Sequence, residues 1–296
     1  MRLTVLAAGH RCAPFVTALV HEPDVLEPTV VVGTGDELTH LGLRISPTAD
    51  TVIDSLVGRA GPHGASVDGT LAQLDLTSWV DLPDSRVGVH LARSTWLARS
   101  VPPSEVLARL AHGAGVPATV RLLPATESPV ETHVVLDSGD GDAPQAAVHL
   151  REWRERLGQR PEPARVVVAG LDQAAPAPGV LDSIRGADAV VLAPADPLLD
   201  LGAVLGVPGV RDALRGTGAP VVVLGPELLG PTPGLSVADL PDGPAGAARL
   251  YRDIADVWVT SEDADDLPPS LRSVRATSAD PREVARAAVE ALGARP

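Results

Sequence analysis

Short runs of β-branched and aliphatic residues, each stopped by glycine, proline or a polar turn, recur along this chain and constrain its fold more than any other feature. Residues 3–8, 29–32, 166–169, 189–193, 221–224 and 257–260 are too short for helices and too uniformly apolar for half-exposed strands. They read as strands buried on both faces, with residues 274–277 as a last short one. Helical patterns fall between them, at about residues 12–20, 51–57, 180–185, 199–215 with a break at Pro208-Gly209, 245–254 and 281–292. Such alternation predicts a mostly parallel sheet with right-handed crossovers and helices on both faces, a Rossmann-like α/β fold. One domain covers residues 1–296, with an inserted α+β segment at about 58–163. Within the insertion, residues 58–69 read as a loop and 79–98 contain a helix. A second helix covers 106–111, with Ser104 as its candidate N-cap. Residues 119–123 and 131–136 read as two strands around the turn at 126–129, and the acidic tract 137–142 as a solvated tip.

In open α/β sheets ligands bind beyond the carboxyl ends of the strands, so the residues that follow each strand are the first candidates for chemistry. The strand at 29–32 runs into Gly33-Thr34-Gly35-Asp36, and Asp50 stands where a helical pattern begins. Either acid alone reads as a cap, Asp50 as a helix N-cap. Two acids converging on one strand end also suit a metal or diphosphate site. After the first strand, Gly9-His10-Arg11 turns the chain into a helix and presents backbone N–H groups to an anion, with Arg11 either adding charge or merely solvated. Asp196 follows the strand at 189–193. His90 and Arg93, three residues apart, face either a ligand together or solvent as a polar stripe, and Asp84 lies in the turn before them. Phosphate-binding backbone beside two carboxylates fits a nucleotide held through Mg²⁺, which takes one or two protein carboxylates plus phosphate oxygens.

Composition removes several alternatives. A net charge of -14 argues against a nucleic-acid or anionic-membrane surface as partner. All 24 basic residues are arginines, so neither a phosphate-loop lysine nor a Schiff-base lysine exists here. The single cysteine, Cys12, excludes an internal disulfide and reads as a packing residue of the first helix. No run approaches the length of a membrane span and no secretory signal opens the sequence, so the expected location is cytoplasmic. The first turn lacks a G-x-G-x-x-G and the chain lacks a G-x-S-x-G elbow, which disfavours a nicotinamide dehydrogenase and a serine hydrolase.

Residues 33–52, GTGDELTHLGLRISPTADTV, resemble the N-T-G-D-D…H-G-L…S-P-D-L-D-T segment of the CofD/FbiA family, the phospholactate or phosphoenolpyruvate transferases of coenzyme F420 biosynthesis. Similar blocks at 82–97, 121–126, 131–133, 149–153, 177–181 and 192–214 carry the resemblance over most of the chain. It implies transfer of a phosphorylated three-carbon acid from a guanosine-diphospho-linked donor to the terminal ribityl hydroxyl of the deazaflavin Fo, with release of GMP. It further implies that Asp36 and Asp50 hold Mg²⁺ and the diphosphate and carry the catalysis. The strand-end positions Gly9, Arg11, Gly33, Thr34, Gly35 and Asp196 would cradle the nucleotide, Asp84, His90 and Arg93 would lie near the acceptor, and the protein would be a homodimer. The sequence departs from the family pattern at several of these places. The first loop, residues 8–14, lacks the family's glycine run and lysine. Gly33 replaces an asparagine, residues 83–86 replace G-D-R-D, residues 195–197 replace S-N-P, and the basic G-G-x-x-x-K-G region becomes residues 227–236. Two functions from different classes fit: a transferase of this kind, acting on Fo or on a changed acceptor, and a non-catalytic or regulatory nucleotide-binding relative. Turnover that depends on Asp50 discriminates them.

Overall fold

The structure, a computed structural model, describes residues 1–59, 61, 63–136, 146–262, 264 and 266–293. Seven strands form one parallel sheet: β1 (Arg2–Ala7), β2 (Glu27–Val32), β5 (Arg121–Pro124), β9 (Ala189–Leu192), β10 (Val221–Leu224), β11 (Val257–Thr260) and β12 (Arg272–Arg275). Their order is β12-β11-β10-β9-β1-β2-β5, so the chain winds outward in one direction from β1 through β2 and in the other from β9. The reversal falls between β1 and β9. A crevice opens there because the crossovers on the two sides leave toward opposite faces.

Side-chain alternation explains the layers. Val5, Ala7, Val30, Val32 and Val191 point to one face, where α1 (Ala13–Val20), α2 (Pro47–Leu56), α5 (Pro103–Ala114) and α12 (Pro281–Gly293) pack. Leu6, Val31, Val190, Leu192 and Trp258 point to the other, beneath α7 (Val180–Gly186), α8 (Leu201–Leu205), α9 (Val210–Gly216) and α11 (Pro244–Tyr251). Both faces are dry, which is why the strands read as continuous apolar runs.

Two smaller units stand beside the large sheet. β3 (Leu38–His40) and β4 (Leu43–Ile45) form a hairpin against α3 (Ser66–Gln73) and α4 (Asp84–Ala98). β6 (Glu131–Leu136) lies between β7 (Ala146–His149) and β8 (Pro163–Ala169) in an antiparallel sheet covered by α6 (Leu150–Glu155). A four-residue helix, α10 (Gly234–Val237), interrupts the glycine- and proline-rich stretch after β10.

Several local expectations change. The strand at 166–169 belongs to this antiparallel sheet and not to the parallel one, because its partner across the ladder is β6. The strands around the turn at 126–129 do not pair with each other: β5 closes the edge of the large sheet, while β6 starts the small one. Residues 58–69 are not all loop, since α3 begins at Ser66. α5 begins at Pro103, and the Ser104 hydroxyl donates to Glu127 (2.5 Å) instead of capping the helix. α2 begins at Pro47 after Ser46, which leaves Asp50 inside the first turn and not at the N-cap. The acidic tract 137–142 lies outside the described residues.

Candidate active site

Beyond the carboxyl ends of β1 and β9 lies a cleft of about 390 Å³. Its floor is the turn after β1, where Gly9 adopts φ 72° and leads through one 3-10 turn into α1. A Cβ on Gly9 would lie 2.8 Å from the Asp200 carboxyl carbon, so the close approach of the two loops needs glycine on both counts. Three arginines line the cleft: Arg11 from this turn, and Arg151 and Arg154 from α6. Arg154 makes a bidentate pair with Asp200 (2.7 and 2.9 Å), the planar fork matching the carboxylate. Arg151 pairs with Glu155 through one amino group, while its buried Nε has no partner. Arg11 donates to the Leu229 carbonyl. His10 is neutral, because burial, aided by Arg151 and Arg154, lowers its pKa to about 4, and its buried Nδ1 is unpartnered.

Asp196 also lines the cleft, but its carboxylate is occupied. Oδ1 accepts from the Leu198 and Leu199 amides (3.0 and 2.9 Å) and Oδ2 from the Gly234 amide (2.7 Å), which ties the loop after β9 to α10.

Thr34 and Glu37 line a second cavity, while no residue of 33–37 lines the cleft; all belong to the loop after β2. Gly33 and Gly35 are packing residues in it. Gly33 donates to the Ala7 carbonyl (2.7 Å), and Gly35 lies so close to Ala203 and Thr132 that a Cβ would fall 2.5 and 2.7 Å from them. Asp36, buried, accepts from the Thr48 hydroxyl on Oδ2 (2.7 Å), while Oδ1 is buried with no partner. Burial raises its pKa to about 6, against the opposing pull of Arg151 and of the Thr48 hydroxyl.

The second cavity, of about 180 Å³, lies between the ends of β2 and β5 and helices α2, α4 and α5. Its walls are largely aliphatic, with Val32, Leu97, Val106, Leu107 and Leu110, and its polar groups include Thr34, Glu37, Arg44, Arg93 and Glu127. Arg44 is held by Glu37 (3.0 Å) and Glu131 (3.3 Å). Arg93 is buried and donates to both oxygens of Asp50, to the Arg44 carbonyl (3.3 Å) and to His90 Nδ1 (3.3 Å).

The expected site residues therefore divide. Gly9, Arg11 and Asp196 meet at the cleft, Thr34 and Arg93 at the cavity, and Asp36 lies buried in the loop after β2 and lines neither. Asp50 and His90 stand behind Arg93. Asp84 stands apart: its carboxylate accepts from the Ser66 and Val67 amides (3.2 and 2.9 Å) and the Ser66 hydroxyl (2.6 Å), capping α3. Of the two acids expected to hold Mg²⁺, Asp36 fits, having one oxygen without a partner. Asp50 does not, since Arg93 occupies both of its oxygens. Among the described residues, no group of three or more His, Cys, Asp or Glu side chains is placed to share one ion. Sequence reasoning missed His10, Arg151, Arg154, Asp200 and Thr48 as site residues. The spacing of Arg151 and Arg154, one helical turn apart, is the one local signal that could have found any of them. Cys12 is fully buried, as a packing residue should be.

Residues 3–295 match the family described as 2-phospho-L-lactate transferase CofD. The chain is 33% identical over 229 residues to a phosphoenolpyruvate transferase of Mycobacterium sp. (strain JLS), covering 70% of this chain and 68% of that one. It is 35% identical over 224 residues to the phosphoenolpyruvate transferase of Thermobifida fusca, with the same coverage. To that of Streptomyces griseus it is 34% identical over 248 residues, covering 81% and 76%. In fold it is similar to a crystal structure of a UPF0052-family protein from Bacillus halodurans, with TM-score 0.63 and 14% identity over 98% of this chain and 100% of that one. No helix among the described residues is long and apolar enough to cross a membrane.

Proposed function

Because the chain belongs to the CofD family, we propose that it transfers a phosphorylated three-carbon acid, phospholactyl or phosphoenolpyruvyl, from a guanosine-diphospho-linked donor to the deazaflavin Fo. One observation carries this reading: an arginine-lined cleft lies at the switch point, and a mostly aliphatic cavity lies beyond the neighbouring strand ends of β2 and β5. A diphosphate suits the first, where Arg11, Arg151 and Arg154 offer guanidinium donors matched to phosphate oxygens. A flat conjugated ring suits the second, with aliphatic side chains against its faces and polar groups for its edge.

In the transfer, the ribityl hydroxyl forms a bond to the phosphorus that carries the three-carbon acid. The bond from that phosphorus to the bridging oxygen breaks, and GMP leaves as the hydroxyl proton is lost. Phosphoryl chemistry of this kind needs chiefly positioning and neutralisation of charge. Mg²⁺ held by Asp36 would add to that neutralisation. Arg154 is fixed by Asp200, and Arg151 keeps a free Nε, so the first supplies a rigid charge and the second a donor without a partner. The same membership supports a cytoplasmic homodimer acting on small molecules.

Incubation with Fo, Mg²⁺ and the guanosine-diphospho-linked donor tests the reading. GMP should appear only when Fo is present, together with a deazaflavin that has gained the phosphorylated acid. No GMP at high protein concentration would count against a transferase and favour the non-catalytic relative.

A further inference from the structure

We propose that Asp50 is a positioning residue for the aliphatic cavity, holding Arg93 at its wall, so that the two acids of the 33–52 segment serve two sites instead of sharing one metal ion. The inference rests on the proposed acceptor being a planar conjugated ring.

Asp50 gives both carboxylate oxygens to the Arg93 guanidinium, and the two side chains are each 4% exposed. It contributes to the lining of neither the arginine cleft nor the aliphatic cavity, whereas Arg93 lines the cavity directly. Drawing Asp50 away to ligate an ion would leave a buried guanidinium without its counter-charge, a costly arrangement in a protein interior. Further contacts pin Arg93 in the same pose. The Arg44 carbonyl accepts from Nη1, and His90 Nδ1 accepts from the same nitrogen, which requires an imidazole with a free lone pair there. Arg44, fixed by Glu37 and Glu131, lines the cavity too. Two immobilised guanidinium groups beside an aliphatic slot match a flat heteroaromatic ring whose edge carries carbonyl oxygens or a delocalised negative charge. Asp36 also lines neither, but it keeps one oxygen unpartnered and has Arg151, which lines the cleft, as its principal neighbouring cation.

The test compares wild type with Asp36→Asn and with the double variant Asp50→Leu/Arg93→Leu, which removes both charges and so leaves no buried ion to disturb folding. Calorimetry with inorganic pyrophosphate, with and without Mn²⁺, reads the cleft, and fluorescence titration with Fo reads the cavity. The double variant should keep the Mn²⁺-dependent tightening of pyrophosphate within about twofold of wild type while its affinity for Fo falls about tenfold or more. Asp36→Asn should do the reverse. A merely structural defect would weaken both ligands together in the double variant and would overturn the positioning role. Loss of the Mn²⁺ effect in the double variant, or its absence in wild type, overturns the separation of the two acids. A wild-type protein that binds pyrophosphate with the Mn²⁺ effect but binds no Fo overturns the cavity assignment together with the proposed acceptor.

Discussion

At Gly35 a single hydrogen in place of a methyl group lets three parts of the chain meet. A Cβ there would stand 2.5 Å from the Ala203 Cβ of α8 and 2.7 Å from the Thr132 hydroxyl of β6, and the Gly35 carbonyl accepts from the Thr132 amide at 2.7 Å. Gly35→Ala should destabilise the protein by about 1–3 kcal/mol, the usual cost of overpacking, and should displace Asp36 with it. Urea denaturation measures the loss, and an unchanged midpoint would contradict so tight a contact. The residue scale also separates the two acids. Asp36 has one oxygen committed and one unpartnered, while Asp50 has both committed to Arg93. In the sequence they are equivalent carboxylates fourteen positions apart, because spacing records neither which groups lie opposite nor how many lone pairs remain.

At the scale of the element, α6 decides what the cleft can hold. It has six residues, too few to be stable alone, and its start is fixed by His149, whose Nδ1 accepts from the Arg151 amide (3.1 Å) while Nε2 donates to the Glu37 carbonyl (3.2 Å). The first of these bonds requires the neutral imidazole, with its proton on Nε2. Burial lowers the His149 pKa from 6.5 to about 4, and burial does the same at His10. The sign follows from proton linkage. Between pH 6.5 and 4 the unfolded chain takes up protons that the folded one refuses, so this stability is full above pH 6.5 and is lost progressively as pH falls toward 4. Each histidine accounts for about 3 kcal/mol across that window. His149→Gln, which keeps a donor and an acceptor but does not titrate, should lower the slope of stability against pH between 6.5 and 4.5 by about 1 kcal/mol per pH unit. Urea titrations at several pH values check it, and an undiminished slope would show that His149 is not a source of acid sensitivity. The α6 helix was not legible as an element because six residues give no sustained period. The three-residue strands of the β3-β4 hairpin were hidden for the same reason. The strands at 221–224 and 257–260 were legible to the residue, because each is an unbroken apolar run buried on both faces.

For the molecule as a whole, the inserted sheet is bound into the parallel one at several points. Leu199, from the loop after β9, packs in the same cluster as Val134, Leu136, Leu150 and Trp153. Arg154 pairs with Asp200 of that loop, and Thr132 donates to Gly35 in the loop after β2. The chain should therefore unfold as one cooperative unit. Variants that retain Trp153 or Trp258 as the sole reporter, the other tryptophans being changed to phenylalanine, should show urea midpoints that coincide within about 0.3 M. Separated transitions would mean that the insertion folds on its own.

The sequence by itself determined the α/β class, the exclusion of lysine chemistry and internal disulfides, and the resemblance that membership of the CofD family bears out. Those properties follow from local periodicity, residue counts and ordered blocks. Only the tertiary structure decided that Arg151 and Arg154 reach the switch-point cleft, that Asp50 answers to Arg93, that Asp84 caps α3, and that Thr34 and Glu37 line a second, aliphatic cavity. The physical reason is that spacing along the chain fixes which residues share a face of one element. Which faces then meet is set by the direction of each crossover and by the packing between elements far apart in sequence.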